Sequence, residues 1–252
     1  MRGLVVNLSA SDDLMEEIIR RRLSLASQDV GLSRHDPFGV FFDGDRVHLP
    51  QSDEQRSWAS FLVKSARERP RDAIQLVMKM VEAADVARPR PDKLSSREAA
   101  EGMKSYSTER VEDLAKEFAP DCVTVKQIVN TFASVPFEMD FEAARAHVRS
   151  IPSGFSLVLR GAVIKPQDDE SAVTLLAFLH EMGFINPRVP DSREPRQFRH
   201  ITFNQDATFV SRANWNVMQA ARWVVHPAFR THLLLRKQDE RARILPPDDA
   251  TH

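Results

Sequence analysis

Apolar side chains recur at helical spacing through two stretches that abut at a proline. Trp58, Phe61, Leu62 and Ala66 form one stripe, and Ala73, Ile74, Val77, Met80 and Val81 form another. Pro70 lacks an amide hydrogen and fits the first turn of a helix but not its middle, so the spacing predicts two helices, over 53–68 and 71–86, meeting at a fixed angle. Before them, the short apolar run 4–8 reads as a buried strand. Ser9 or Ser11 then caps a helix over 12–26, with Asp12, Asp13, Glu16 and Glu17 complementing its amino end. Residues 27–37 read as loop. The segment 38–50 reads as a hairpin turning at Asp43-Gly44, with a long extended loop as the alternative.

Two prolines in Arg88-Pro89-Arg90-Pro91-Asp92 forbid helix and mark a domain boundary. Beyond it the pattern predicts helices over 95–103 and 108–118 broken near Gly102, then 123–132 and 140–151. Asp168, Asp169 and Glu170 open a helix that Gly183 closes. Short strands at 184–189 and 198–204 flank a polar loop, and helix, strand, loop, strand is how a winged-helix unit ends. A helix over 213–225, an interruption at Pro227 and an apolar stretch over 229–235 complete the pattern. The expected fold is mainly α: a helical subdomain over 1–90, a winged-helix domain with extra helices over 91–245, and a disordered tail over 246–252.

Composition narrows the function. Thirty-five basic and 36 acidic residues nearly cancel, which argues against a chain that coats nucleic acid by overall charge. Forty-two per cent hydrophobic and 28% charged residues are those of an ordinary globular protein. A single cysteine, Cys122, excludes an internal disulfide and a multi-cysteine zinc site. No signal peptide or long apolar span is visible, and the expected compartment is the cytoplasm.

Candidate chemistry is sparse. Arg67, Arg69 and Arg71 crowd the amino end of the second helix, whose partial positive charge favours anions. Their bland role is capping with an ion pair to Asp72 or Glu68. Their sharp role is anion binding, for which Arg71, projecting from the first turn, is the choice. Arg188, Arg193, Arg196 and Arg199 outnumber Asp191 and Glu194 on the wing, so they are candidates for DNA-phosphate contacts. Helix 168–182 carries no Lys or Arg and is poor material for reading bases. The Arg20–Arg22 triplet is a solvated helix face or else an anion or partner contact. The eight histidines form no metal-binding pair, there is no Gly-x-Ser-x-Gly elbow, and no Glu-x-Lys or Asp-x-Lys triplet exists. Neither catalytic residues, a metal nor a cofactor is expected, and the expected partner is a protein, an ATPase subunit or a second copy of the chain.

The run "RPRDAIQLVMKMVEAA", followed by "SYSTERVEDLAKEF", "LLAFLHEMGFI" and "VVHPAFRTHLLLR" in that order, resembles the lid helix and winged-helix ending of bacterial AAA-like or STAND-like P-loop ATPases, often linked to defence. The resemblance spans about residues 10 to 237. It implies that a lid arginine among Arg67, Arg69 and Arg71 senses the outer nucleotide phosphate, and that His226 packs rather than catalyses. A P-loop requires G-x-x-x-x-G-K-[ST], and none of the eight glycines is followed by lysine. The expectation is therefore a non-catalytic regulatory or interaction module like the carboxyl-terminal portion of such an ATPase, acting on nucleotide held by another chain. A DNA-binding regulator using the wing is the alternative.

Overall fold

The computed structural model describes residues 11–29, 31, 36–50, 53–191 and 198–244. The chain is mainly α-helical, with small antiparallel sheets. It forms two compact units, Met1–Thr108 and Glu109–His252. The strand expected at 4–8 and the tail at 246–252 lie outside the described residues.

In the first unit, α1 (Asp12–Asp29) starts at Ser11, whose hydroxyl accepts from the Leu14 amide at 3.2 Å. This is the local side-chain solution to an orphan amide at a helix start. Next come α2 (Phe38–Phe41), β1 (Arg46–His48), β2 (Gln55–Ser57), α3 (Trp58–Ser65) and α4 (Pro70–Val86). A hairpin does form, but between β1 and β2, with Val47 opposite Arg56. Asp43-Gly44 is not its turn. Phe42 forms a parallel bridge with Leu94 instead, and Gly44, at φ +64°, redirects the chain into β1. The core gathers Met15, Phe42, Trp58, Leu62, Leu76, Met80 and Tyr106, with Phe42 stacked on Trp58 at 4.5 Å.

The unit does not end at the proline-rich 88–92 segment. Lys93 Nζ donates to the Gly39 carbonyl at 2.7 Å, and Leu94 exchanges backbone bonds with Phe41 and Asp43, so the connector is tied back to α2. Helix α5 (Ser96–Glu117) then runs unbroken through Gly102, where two helices were expected. Its start is a capping box: Glu98 accepts from the Ser95 amide at 3.0 Å. Gly102 is not a break but a point of close approach. A Cβ there would lie 2.8 Å from the Met80 nitrogen on α4. Tyr106 adds a bond from its hydroxyl to the Ser65 carbonyl at 2.7 Å.

The second unit begins within α5 and continues with α6 (Val125–Thr131), β3 (Glu138–Met139) and α7 (Phe141–Ser150). A small hairpin of β4 (Val158–Leu159) and β5 (Ala162–Val163) follows, then α8 (Asp169–Glu181), β6 (Ile185–Pro190) and β7 (Phe198–His200). Asp140 and Asp168 cap α7 and α8 by accepting from the Ala143 and Ser171 amides, and Gly183, at φ +67°, ends α8.

The remaining segment departs from expectation. Instead of one helix over 213–225 there is a short α9 (Trp215–Ala220), then β8 (Arg222–Val225). Ala221 is extended, and β8 inserts between β3 and β6 to give the order β3-β8-β6-β7. Trp223 and Val225 are fully buried there, so long-range pairing overrides local helix spacing. Pro227 opens α10 (Pro227–Ile244) rather than interrupting a helix, as suits a residue with no amide to leave unsatisfied. Phe132, Phe141, Phe178, Phe184, Trp223 and Phe229 fill this core.

Candidate functional site

Between α3 and α4 the chain turns through two consecutive left-handed residues, Arg67 at φ 48° and Glu68 at φ 56°. Neither is glycine, so each costs on the order of 1–2 kcal/mol. An ion pair holds the turn. Arg67 Nε donates to Asp72 Oδ2 at 3.0 Å, with only 6% and 3% of the two side chains exposed. Asp72 lies in the first turn of α4, where its charge also suits the helix dipole.

The corner therefore sorts the three arginines. Arg67 turns inward to Asp72. Arg69 occupies the position preceding Pro70, extended and exposed, and its side chain caps no amide. Arg71 stands exposed in the first turn and has no ion pair among the described residues. Capping with an ion pair is thus what Arg67 does. An outward cation at a helix amino end is what Arg71 provides.

Further along α4 the structure corrects the apolar stripe. Ala73, Leu76, Met80 and Ala84 face the core, whereas Ile74 and Val81 are exposed together with Met78. The signal was in the sequence: apolar positions on α4 are too many for one buried face. On its other side, α4 and α5 line a cleft of about 340 Å³. Lys79 and Arg97 stand there with Glu82, Glu98 and Glu101, so its charges are mixed. Burial works to raise the Glu98 carboxyl, but its bonds to the Ser95 hydroxyl and amide outweigh this and hold it below its ordinary value.

In the second unit the basic strands are less available than their sequence implies. Arg188 Nη2 donates to Glu138 Oε1 at 2.5 Å, and its guanidinium lies over the Phe198 ring at 4.9 Å. Arg222, directly opposite Arg188 on β8, reaches the same carboxylate at 3.5 Å. Arg199 is exposed on β7, while Arg193 and Arg196 lie outside the described residues. Helix α8 buries Leu175, Leu176, Phe178, Leu179 and His180 and exposes Asp169, Glu170 and Thr174. The bonds of Asp168 with Ser171 hold that carboxyl below the usual range.

Three histidines of this unit are built into packing. His147 Nε2 lies 3.1 Å from Thr131 Oγ1, and burial pushes its imidazole down to about 4. His180 Nδ1 lies 3.4 Å from the Ile185 carbonyl, and His232 Nε2 lies 2.9 Å from Asn130 Oδ1. Burial lowers both, and for His232 the charges of Arg236 and Lys126 add to it. His226 Nδ1 accepts from the Ala228 amide at 3.2 Å and starts α10. Cys122 is buried, 3.3 Å from Thr124 Oγ1. Among the described residues, no group of three His, Cys, Asp or Glu could hold a metal ion, and no helix is long and apolar enough to cross a membrane.

No curated protein and no solved structure matches the chain. Residues 12–115 match a family model, the FunZ-associated C-terminal helical domain, a span that opens with α1 and closes two residues short of the end of α5.

Proposed function

We propose that this chain is a non-catalytic regulatory and protein-interaction module related to the carboxyl-terminal region of a P-loop ATPase. In this reading Arg71 meets the outer phosphate of a nucleotide held by a partner chain. The observation that carries it is the division of labour at the corner: Arg67 is committed to Asp72, and the locked turn holds Arg71 outward at the positive end of α4. The family match supports a helical domain described as carboxyl-terminal over the same stretch. The test is affinity capture of the full chain from its source cells with a non-hydrolysable ATP analogue, with ADP and with neither. Recovery of a P-loop ATPase that depends on nucleotide and is lost in Arg71→Glu is the expected result. Recovery of none removes the ATPase link.

One observation favours a second reading. The succession β3, α7, α8, β6, β8, with a connection from β6 to β8 that carries β7, has the order of a winged-helix unit, and Arg199 is exposed on that connection. Against it, Arg188 and Arg222 already share Glu138, and α8 offers carboxylates where a groove-reading helix needs donors. Titration with a DNA duplex at two salt concentrations decides it. Phosphate contacts are strongest at low salt, so no binding there ends this alternative.

A further inference from the structure

An α-helix advances about 100° per residue, which places Arg71, Ile74, Met78, Val81 and Asp85 within an arc of roughly 80° on α4. All five are exposed, including Ile74 at 39%, Met78 at 56% and Val81 at 41%. Apolar residues aligned on one face of a helix mark a contact surface more strongly than the same residues scattered singly.

The order along this arc is cation, three apolar residues, anion, and it is self-complementary. Turning a second α4 end over end about Met78 sets Met78 against Met78, Ile74 against Val81, and Arg71 against Asp85. A two-fold interface requires this property, that residue i meets j while j meets i. We propose that two copies of this chain associate through α4, antiparallel about Met78, each contributing Arg71 to the other's Asp85. Asp85 holds Arg90 at 2.8 Å within one copy, but the two side chains are 51% and 69% exposed, so that pair is exchanged at little cost. The stripe is roughly 21 Å long, and a contact of this length buries less than a standard interface of about 1,600 Å². Association is therefore reversible and concentration-dependent.

This deepens the interaction reading above and rests on it, but not on the ATPase link: one guanidinium cannot meet Asp85 and a phosphate at once, so the two contacts exclude each other, and Met78→Glu, which leaves Arg71 in place, separates their tests. The experiment is sedimentation equilibrium of the full chain over a wide concentration range, with circular dichroism to verify the helices of each variant. The wild type is expected to show a monomer–dimer equilibrium. Met78→Glu, which opposes two like charges at the axis, weakens it on the order of tenfold or more. Arg71→Asp and Asp85→Arg each weaken it, and the double variant Arg71→Asp/Asp85→Arg restores it because both pairs re-form with their charges swapped. A chain that stays monomeric throughout overturns the proposal. So does a dimer that folded Met78→Glu leaves intact, or a double swap that fails to recover what the single swaps lose.

Discussion

Arg67 and Asp72 show what a buried charge demands. Their side chains are almost wholly out of water, and each is compensated by the other at 3.0 Å. Removing one partner takes from the other its buried opposite charge, so Asp72→Ala and Arg67→Ala are each expected to destabilise the first unit by about 3–5 kcal/mol. Chemical unfolding followed by the signal of Trp58, which lies in the same core, measures it. Arg71→Ala, on an exposed side chain, should shift the same curve by less than about 0.5 kcal/mol. Equal losses at 67 and 71 would contradict the sorting of the corner.

The histidines of the second unit add a pH dependence. His147, His180 and His232 are held neutral in the folded state, with His147 at about 4 against an ordinary 6.5. The unfolded chain therefore takes up protons first as pH falls. The stability these groups contribute is present above 6.5 and is progressively lost on going down through the folded values, toward 4 for His147. Unfolding midpoints read at Trp223 between pH 7 and 4 should fall accordingly, and less steeply in His147→Phe. A midpoint flat across that window would refute the burial argument.

At the scale of elements, Gly102 is the described glycine with no room for a side chain. With 2.8 Å between an added Cβ and the Met80 backbone, Gly102→Ala must push α5 away from α4 despite alanine's better helix propensity. A loss of about 1–3 kcal/mol is expected, measured by thermal unfolding. Stabilisation would show that the two helices have room to give.

The same position explains what was legible in the sequence. Helix starts at Ser11, Asp140 and Asp168 and the stop at Gly183 were readable because a cap is a bond within a few residues. Gly102 read as a break because local grammar assigns glycine to helix ends, while its reason lies on a different helix. Trp223 to Val225 read as helix for a similar cause: their strand partners are Ile185 to Pro187 and Glu138 to Met139, far away in the chain. The arginine corner was half legible. Its proximity to the amino end of α4 followed from Pro70, but which arginine turns inward depended on two left-handed residues that no motif announces.

For the whole molecule, the two units differ in how they are held. The first relies on helix packing around Trp58, Leu62 and Leu76 and on ties such as Lys93 to Gly39 that return a proline-rich segment to its own core. The second relies on a four-stranded sheet whose members are scattered over 138–225, stitched by Phe184 against Phe132 at 4.9 Å and Phe229 at 5.2 Å. Phe184→Ala should therefore cost about 3–5 kcal/mol and raise amide exchange across α6, β6 and α10 together. Exchange that rose in only one of them would argue against a shared core.

The turn at Arg67 and Glu68 is short, spanning only Ala66 to Arg69, and its two left-handed residues are held by an ion pair. A ligand or neighbour that displaces the first turn of α4 pulls on the bolt between Arg67 and Asp72, and through it on the turn that follows α3. Whatever touches Arg71 therefore acts beside a bolt whose far side closes α3, and Trp58 lies about 11 Å along that helix by its rise.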